Sequence, residues 1–218
     1  MARSSRTRRR PTLVLLVRHG KTPTTGRELP GRSPGLHLGP EGIEQAEQAS
    51  GRIAELGGGR VAAVYASPLE RTRETAAPIA RACGLRVRGH EGLLELDVGD
   101  WTGRRLRDLQ RLRSWRTVQR YPSGFRFPGG ESFTEMQARI VSTVADLVEL
   151  HPGQAIVCVS HADPIRALVA HAMGTHLDLF QRIVVSPCSI SAVLYGEGGP
   201  TILTVNSIGG PLTELAAA

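Results

Sequence analysis

The sequence predicts an α/β fold built around a sheet that is covered on both faces. Three observations carry that reading. Short apolar runs alternate with longer amphipathic stretches along nearly the whole chain. The runs are rich in Val, Leu, Ile and Ala, as expected of strands buried on both sides. At 218 residues and 40% hydrophobic, the chain is long enough to bury a core with no metal or disulfide staple.

The elements follow in order. Leu13 to Val17 is the first strand candidate. Pro40 to Leu56 reads as a helix, with Ile43, Ala46, Ala49, Ile53 and Leu56 on one side and a stop at Gly57, Gly58 and Gly59. Ala62 to Tyr65 is the second strand, and Pro68 to Ala82 the next helix, closing near Gly84. Segments 104 to 119, 131 to 150 and 162 to 173 complete the helical set, the second carrying Met136, Ile140, Val144 and Leu147 at helical spacing. Ala155 to Val159, Ser191 to Leu194 and Ile202 to Val205 are the remaining strands. No repeat or interdomain linker interrupts the pattern, so residues 12 to 218 read as one domain behind a basic, flexible tail of residues 1 to 11.

Charge and cysteine usage narrow the function classes. The net charge is +7, but residues 1 to 11 hold five arginines and residues 104 to 120 hold seven against Asp108, which leaves −4 for everything else. With nine scattered aromatics as well, a nucleic-acid surface is disfavoured. Lys21 is the only lysine, so Schiff-base catalysis would rest on that residue alone. Cys83, Cys158 and Cys188 are far apart, which argues against a disulfide framework or zinc knuckle and for a reducing cytoplasm. The apolar run Leu13 to Val17 is too short for an export signal or a membrane span.

Four motifs carry chemistry. The first strand runs into Arg18-His19-Gly20-Lys21-Thr22, at the carboxyl end of a strand where parallel sheets form their ligand crevice. Gly20 lets backbone approach an anion, and Arg18 offers a planar fork to phosphate oxygens. The second strand ends in Ser67-Pro68-Leu69-Glu70-Arg71, which places an arginine in the first turn of a helix, where the macrodipole opposes it unless an anion or carboxylate is near. In Leu93-Leu94-Glu95-Leu96-Asp97, a desolvated Glu95 would titrate high enough to deliver a proton near neutral pH, with Asp97 and Asp100 as competitors for that role. Finally, Ser160-His161-Ala162-Asp163 sets a second histidine between a strand and a helix start, another anion site. Each motif alone has a purely structural reading; two strand-end histidines, each beside an arginine or a helix start, point to one site.

Together these motifs, in this order, resemble the histidine phosphatase (phosphoglycerate mutase-like) superfamily from about Leu13 to Ser207. Phe127-Pro128-Gly129-Gly130-Glu131-Ser132 and the stretch Leu177 to Pro187 look most like its actinobacterial phosphomutase/phosphatase branch, a name for a sequence group rather than a reaction. The resemblance implies a three-layer α/β/α sandwich with a mostly parallel sheet. It implies His19 as a nucleophile that becomes phosphohistidine, Arg18, Arg71 and His161 as ligands of the transferring phosphoryl group, and Glu95 as the proton donor. Gly20, Thr22, Thr25 and the N–H of Ala162 would add phosphate contacts. Thr25 stands where the family often has Asn, Ala162 where it commonly has Gly, and Lys21 where an acidic residue is usual. No metal or cofactor is implied, the arginines supplying the charge a metal supplies elsewhere.

The implied activity is hydrolysis of a small phosphorylated metabolite, such as a sugar phosphate. Phosphomutase chemistry through the same intermediate is the alternative. Only some 25 residues separate Gly103 from Gly129, a short stretch for the lid a mutase needs. A non-catalytic phospho-ligand or nucleic-acid binding protein is the reading from another class, and it conflicts with the complete residue set. Arg32, His37 and segment 104 to 128 are the expected specificity determinants. The apolar residues near Ile183 to Val185, or the C-terminal strand, could pair in a homodimer.

Overall fold

The apolar runs form five strands of a six-stranded mixed sheet, seen in a computed structural model that describes residues 10–57, 59–210 and 212. The tail expected at residues 1 to 11 lies outside these apart from Arg10 and Pro11. The strands are β1 (Thr12–Arg18), β3 (Val61–Ala66), β4 (Val87–Gly89), β6 (Ala155–Ser160), β7 (Ile190–Gly196) and β8 (Gly199–Ser207), in spatial order β4-β3-β6-β1-β7-β8. The first four in that order run parallel, whereas β7 is antiparallel to β1 and β8 to β7.

Strand periodicity builds the layers. Leu13, Leu15 and Val17 face one side with Ile53 and Ile79, which belong to α1 (Pro40–Ala54) and α2 (Glu70–Ala82). Val14 and Leu16 face the other side with Ile140, Val144, Ile165 and Leu168 from α5 (Phe133–Leu150) and α6 (Ala162–Ala172). Two helical layers thus enclose the sheet, and the three-layer α/β/α arrangement follows. Helix α5 starts where Ser132 and Glu135 form a reciprocal capping box, two residues later than the sequence pattern suggested.

The single helix expected over 104 to 119 is instead a short strand, β5 (Arg104–Arg105), followed by two short helices, α3 (Leu106–Leu109) and α4 (Arg113–Arg120). The cause is spacing. Leu106, Leu109, Leu112 and Trp115 recur every three residues, and a straight α-helix would rotate such a stripe by about 60° each turn away from its partner. Breaking at 110 to 112 lets all four pack against one cluster with Trp101, Phe127, Phe133 and Phe180. β5 pairs with β2 (Glu28–Leu29) in a two-stranded ribbon. Neither this ribbon nor the three-residue β4 had enough apolar alternation to be seen in the sequence.

The sheet places β3, β6 and β1 side by side, so Ala66, Ser160 and Arg18 end at one edge. Everything singled out in the first, second and fourth motifs leaves the sheet there.

Candidate active site

At the end of β1, the backbone N–H of His19 donates to Ser160 O at 3.0 Å, which ties the loop to the neighbouring strand β6. The imidazole Nδ1–H donates to Gly20 O at 2.8 Å, which leaves Nε2 as the free nitrogen. His19 is 7% exposed. Burial first, then the charges of Arg71 and Arg18, lower its pKa to about 3, so the ring is neutral at physiological pH.

Arg71 is the second residue of α2 and is fully buried. Its Nη2 donates to Gly31 O at 2.8 Å, while Nε and Nη1 have no partner. Arg18 repeats the pattern: Nη1 donates to Val185 O at 2.7 Å and Nε is unpartnered. Burial lowers the pKa of both guanidiniums, with the Glu95 carboxylate opposing it. Each orphaned buried donor costs on the order of 1–3 kcal/mol, an expense that an anion in the pocket would offset.

His161, the residue that opens α6, is fully buried, with its ring centroid 5.2 Å from that of His19. Its Nε2 lies 2.9 Å from Ser67 Oγ, and its Nδ1 is unpartnered, 3.9 Å from Glu95 Oε2. Burial, His19 and the nearby arginines push its pKa well down. The side chain of Glu95 is 16% exposed, and Oε1 accepts a hydrogen bond from Leu96 N at 3.0 Å. Burial and then Asp163 raise its pKa to about 7, against the opposing pull of Leu96 N–H, Arg71 and Arg18.

The five residues expected to do chemistry therefore meet in one pocket; the expected phosphate contacts divide. Ala162 is the first residue of α6, directly after His161. Gly20 gives its N–H to Thr75 Oγ1 at 3.1 Å, and a Cβ there would lie 2.4 Å from Gly42 O, so its smallness serves the packing of this loop on α1. The Thr25 hydroxyl accepts from Thr22 N at 2.9 Å and sits 3.0 Å from the Thr22 hydroxyl; both side chains shape the turn after Lys21. Lys21 pairs with Glu41, which offsets the charge expected at the mouth. His37 pairs with Glu74, and its pKa rises as a result. Arg32 donates Nε to Glu95 O at 2.8 Å. Of the competitors of Glu95, Asp97 accepts from Gly99 N at 3.0 Å and its Oδ2 lies 3.8 Å from Arg32 Nη1.

Neither Ser67, named in the second motif, nor Thr75 had been given a role from the sequence. Ser67 sits at the strand end beside Pro68 and was readable as part of the second motif; Thr75, one helical turn after Arg71 with its hydroxyl donating to Arg71 O at 2.7 Å, had no separate signal. Among the described residues, no group of three or more His, Cys, Asp or Glu side chains could hold a metal ion.

A neutral buried histidine, two half-satisfied arginines and a high-titrating carboxyl at the strand ends of a three-layer sheet define an α/β protein whose crevice suits a tetrahedral oxyanion. The chain belongs to the histidine phosphatase superfamily (branch 1), whose profile matches residues 14–208. It is 34% identical over 207 residues to the bifunctional protein Rv2228c of Mycobacterium tuberculosis; that alignment takes in 91% of this chain and 55% of Rv2228c, so the chain spans about half the length of this relative. It is also 35% identical over 188 residues to GpmB of Salmonella paratyphi B, named a probable phosphoglycerate mutase, covering 84% of this chain and 85% of that protein. Among solved structures, the mycobacterial glucosyl-3-phosphoglycerate phosphatase Rv2419c shares the fold with a TM-score of 0.81 at 23% identity, over 91% of this chain and 100% of that one. The phosphoserine phosphatase of Entamoeba histolytica, in complex with 3-phosphoglyceric acid, gives 0.80 at 25% identity, over 90% and 97%.

Proposed function

We propose that this protein hydrolyses the phosphomonoester of a small phosphorylated metabolite, such as a sugar phosphate, through a phosphohistidine intermediate. The observation that carries the reading is the set of unpartnered buried donors on Arg18, Arg71 and His161 grouped around a neutral His19. With the Ser67 hydroxyl donating to His161 Nε2, the Nδ1 proton of His161 faces the pocket. The phosphoryl oxygens take these donors; His19 Nε2 forms the P–N bond as the ester P–O bond breaks. Glu95, half protonated near neutral pH, gives its proton to the leaving alkoxide. As a carboxylate it then takes a proton from the water that attacks phosphohistidine, which restores His19 and releases phosphate. The arginines balance the charge of the transferred group.

The test is phosphate release from a panel of sugar phosphates, with EDTA present, for wild type and His19→Ala. Activity that survives EDTA and vanishes in His19→Ala supports the reading; release that His19→Ala retains overturns it. Likeness to GpmB over 85% of that protein favours one second reading, phosphomutase, which isomer exchange without net phosphate release would reveal. The chain has three free cysteines, which supports a reducing, cytoplasmic compartment. None of its described helices is long and apolar enough to cross a membrane. A homodimer through Ile183 to Val185 draws support only from Val184, 61% exposed, since Val185 is buried; light scattering decides it.

A further inference from the structure

Glu95 lies on residues 94–98, a stretch with no regular structure between two short 3₁₀ turns. A proton donor needs a fixed position; the Leu96 N–H holds Oε1 at 3.0 Å, but the stretch that carries both residues has no helix or ladder of its own to hold it. The support comes from elsewhere in the chain. The carbonyl of Glu95 accepts from two guanidiniums, Arg32 Nε at 2.8 Å and Arg139 Nη2 at 3.3 Å. Arg139 Nη1 also donates to Gly92 O and Leu94 O, each at 2.9 Å, so one side chain grips the approach to Glu95 at three carbonyls. Both arginines converge on Glu131. Its Oε1 accepts from Arg139 Nε at 2.9 Å, and its Oε2 accepts from Arg139 Nη2 at 2.9 Å and Arg32 Nη2 at 3.0 Å. The Glu131 backbone closes the loop by donating to Asp97 O at 2.9 Å. The Glu131 side chain is 13% exposed, so this bidentate network is only weakly screened.

We propose that Glu131, through Arg32 and Arg139, is the positioning residue that sets where the Glu95 carboxyl stands for proton transfer. The proposal rests on the reading of Glu95 as the proton donor. Without the Glu131 carboxylate, two like charges face each other at the Glu95 carbonyl with no carboxylate shared between them, Asp97 Oδ2 at 3.8 Å from Arg32 Nη1 offsetting one of the two, and the 94–98 stretch loses its common anchor. Arg32, expected at the mouth as a specificity residue, acts here on the backbone of Glu95.

The discriminating measurement uses leaving groups. An aryl phosphate such as 4-nitrophenyl phosphate expels an anion that needs no proton, whereas an alkyl phosphate does not leave without one. Single-turnover rates of His19 phosphorylation are measured on 4-nitrophenyl phosphate and on the alkyl ester the wild type turns over fastest. The proteins are wild type, Glu95→Gln, Glu131→Gln and Arg32→Gln, with thermal unfolding in parallel. Glu95→Gln is expected to lose about 10²–10³-fold on the alkyl ester and less than about threefold on the aryl ester. Glu131→Gln is expected to repeat that selectivity at roughly tenfold, and Arg32→Gln at a smaller loss. Arg32→Gln carries the test alone should Glu131→Gln not fold. Equal losses on both esters, or none on either, beside a selective Glu95→Gln would overturn the positioning role by itself. A Glu95→Gln protein without selectivity would overturn the proton-donor reading, and the positioning role with it.

Discussion

Arg18 and Arg71 carry the same guanidinium as the seven arginines of residues 104–120, yet the two groups sit in opposite physical situations. The seven are all open to solvent; among the described residues one ion pair, Arg107 with Asp108 at 3.7 Å, involves any of them. Arg71 is buried and Arg18 half-buried, and together they keep three buried donor nitrogens without a partner. Sequence charge is concentrated in the first group, and the strain is concentrated in the second. A solvated positive strip is cheap for the fold and binds anions weakly. A buried cation with open donors costs stability and returns it only when an anion arrives.

The sharpest way to break this comparison is Arg71→Met. Methionine fills a similar length without charge, so kcat/KM is expected to fall by roughly 10³-fold while stability in phosphate-free buffer holds or rises. Inorganic phosphate at a hundred times its Kd should stabilise wild type by about 2.7 kcal/mol and leave Arg71→Met unmoved. Denaturant melts with and without phosphate read both quantities. A variant that is active and markedly less stable would make Arg71 a structural residue, and the contrast would collapse.

The pocket was legible because its residues lie in short motifs at strand ends, where one-dimensional order already implies neighbourhood. His19 and His161 are 142 positions apart, yet both follow apolar runs, and parallel strands bring such ends to a common edge. Glu95 was legible through its leucine neighbours, as burial made it titrate high. The support of Glu95 was not: Arg32 lies about a hundred positions from Glu131 and Arg139, which flank the start of α5, and guanidinium bonds to carbonyls leave no periodic trace. The same limit hid the β2–β5 ribbon, whose strands are two residues each. In segment 104 to 119 the apolar side was read correctly, and the continuous helix was not, since a three-residue repeat fits the aromatic cluster only when the helix breaks.

Titration within the pocket sharpens the comparison next, with effects on the order of 3–5 kcal/mol. The folded His19 titrates near 3 rather than 6.5, so its contribution is present above pH 6.5 and is lost as pH falls toward 3. Glu95 works the other way: its pKa, raised from 4.5 to about 7, gives stability that is full below pH 4.5 and is lost as pH rises through 7. Between pH 4.5 and 6.5 the two slopes oppose each other. Glu95→Gln should therefore unfold with a steeper gain in stability from pH 3 to 6.5, and His19→Gln should lose stability from pH 4.5 to 7. Urea midpoints across that range check the pair; parallel profiles in all three proteins would mean the pocket is more hydrated than its burial indicates. Activity follows the same carboxyl, so phosphorylation of His19 by an alkyl ester should slow above pH 7.

The smallest effect belongs to the exposed strip. Arg27, Arg105 and Arg107 line an open cavity of about 640 Å³ beside the β2–β5 ribbon, where surface arginines surround a space that could take a ligand. Their donors are already hydrated there, so replacing Arg105 and Arg107 with glutamine removes long-range attraction and little else. kcat/KM should fall by no more than about threefold at low ionic strength, and the difference should fade by 0.3 M salt as the Debye length shortens to several ångströms. Stability should stay within about 0.5 kcal/mol of wild type. A loss of tenfold that persists in salt would mean that the strip touches the bound substrate. The distinction would then lie in when each set of arginines is desolvated: in the pocket by folding, on the strip by the ligand itself.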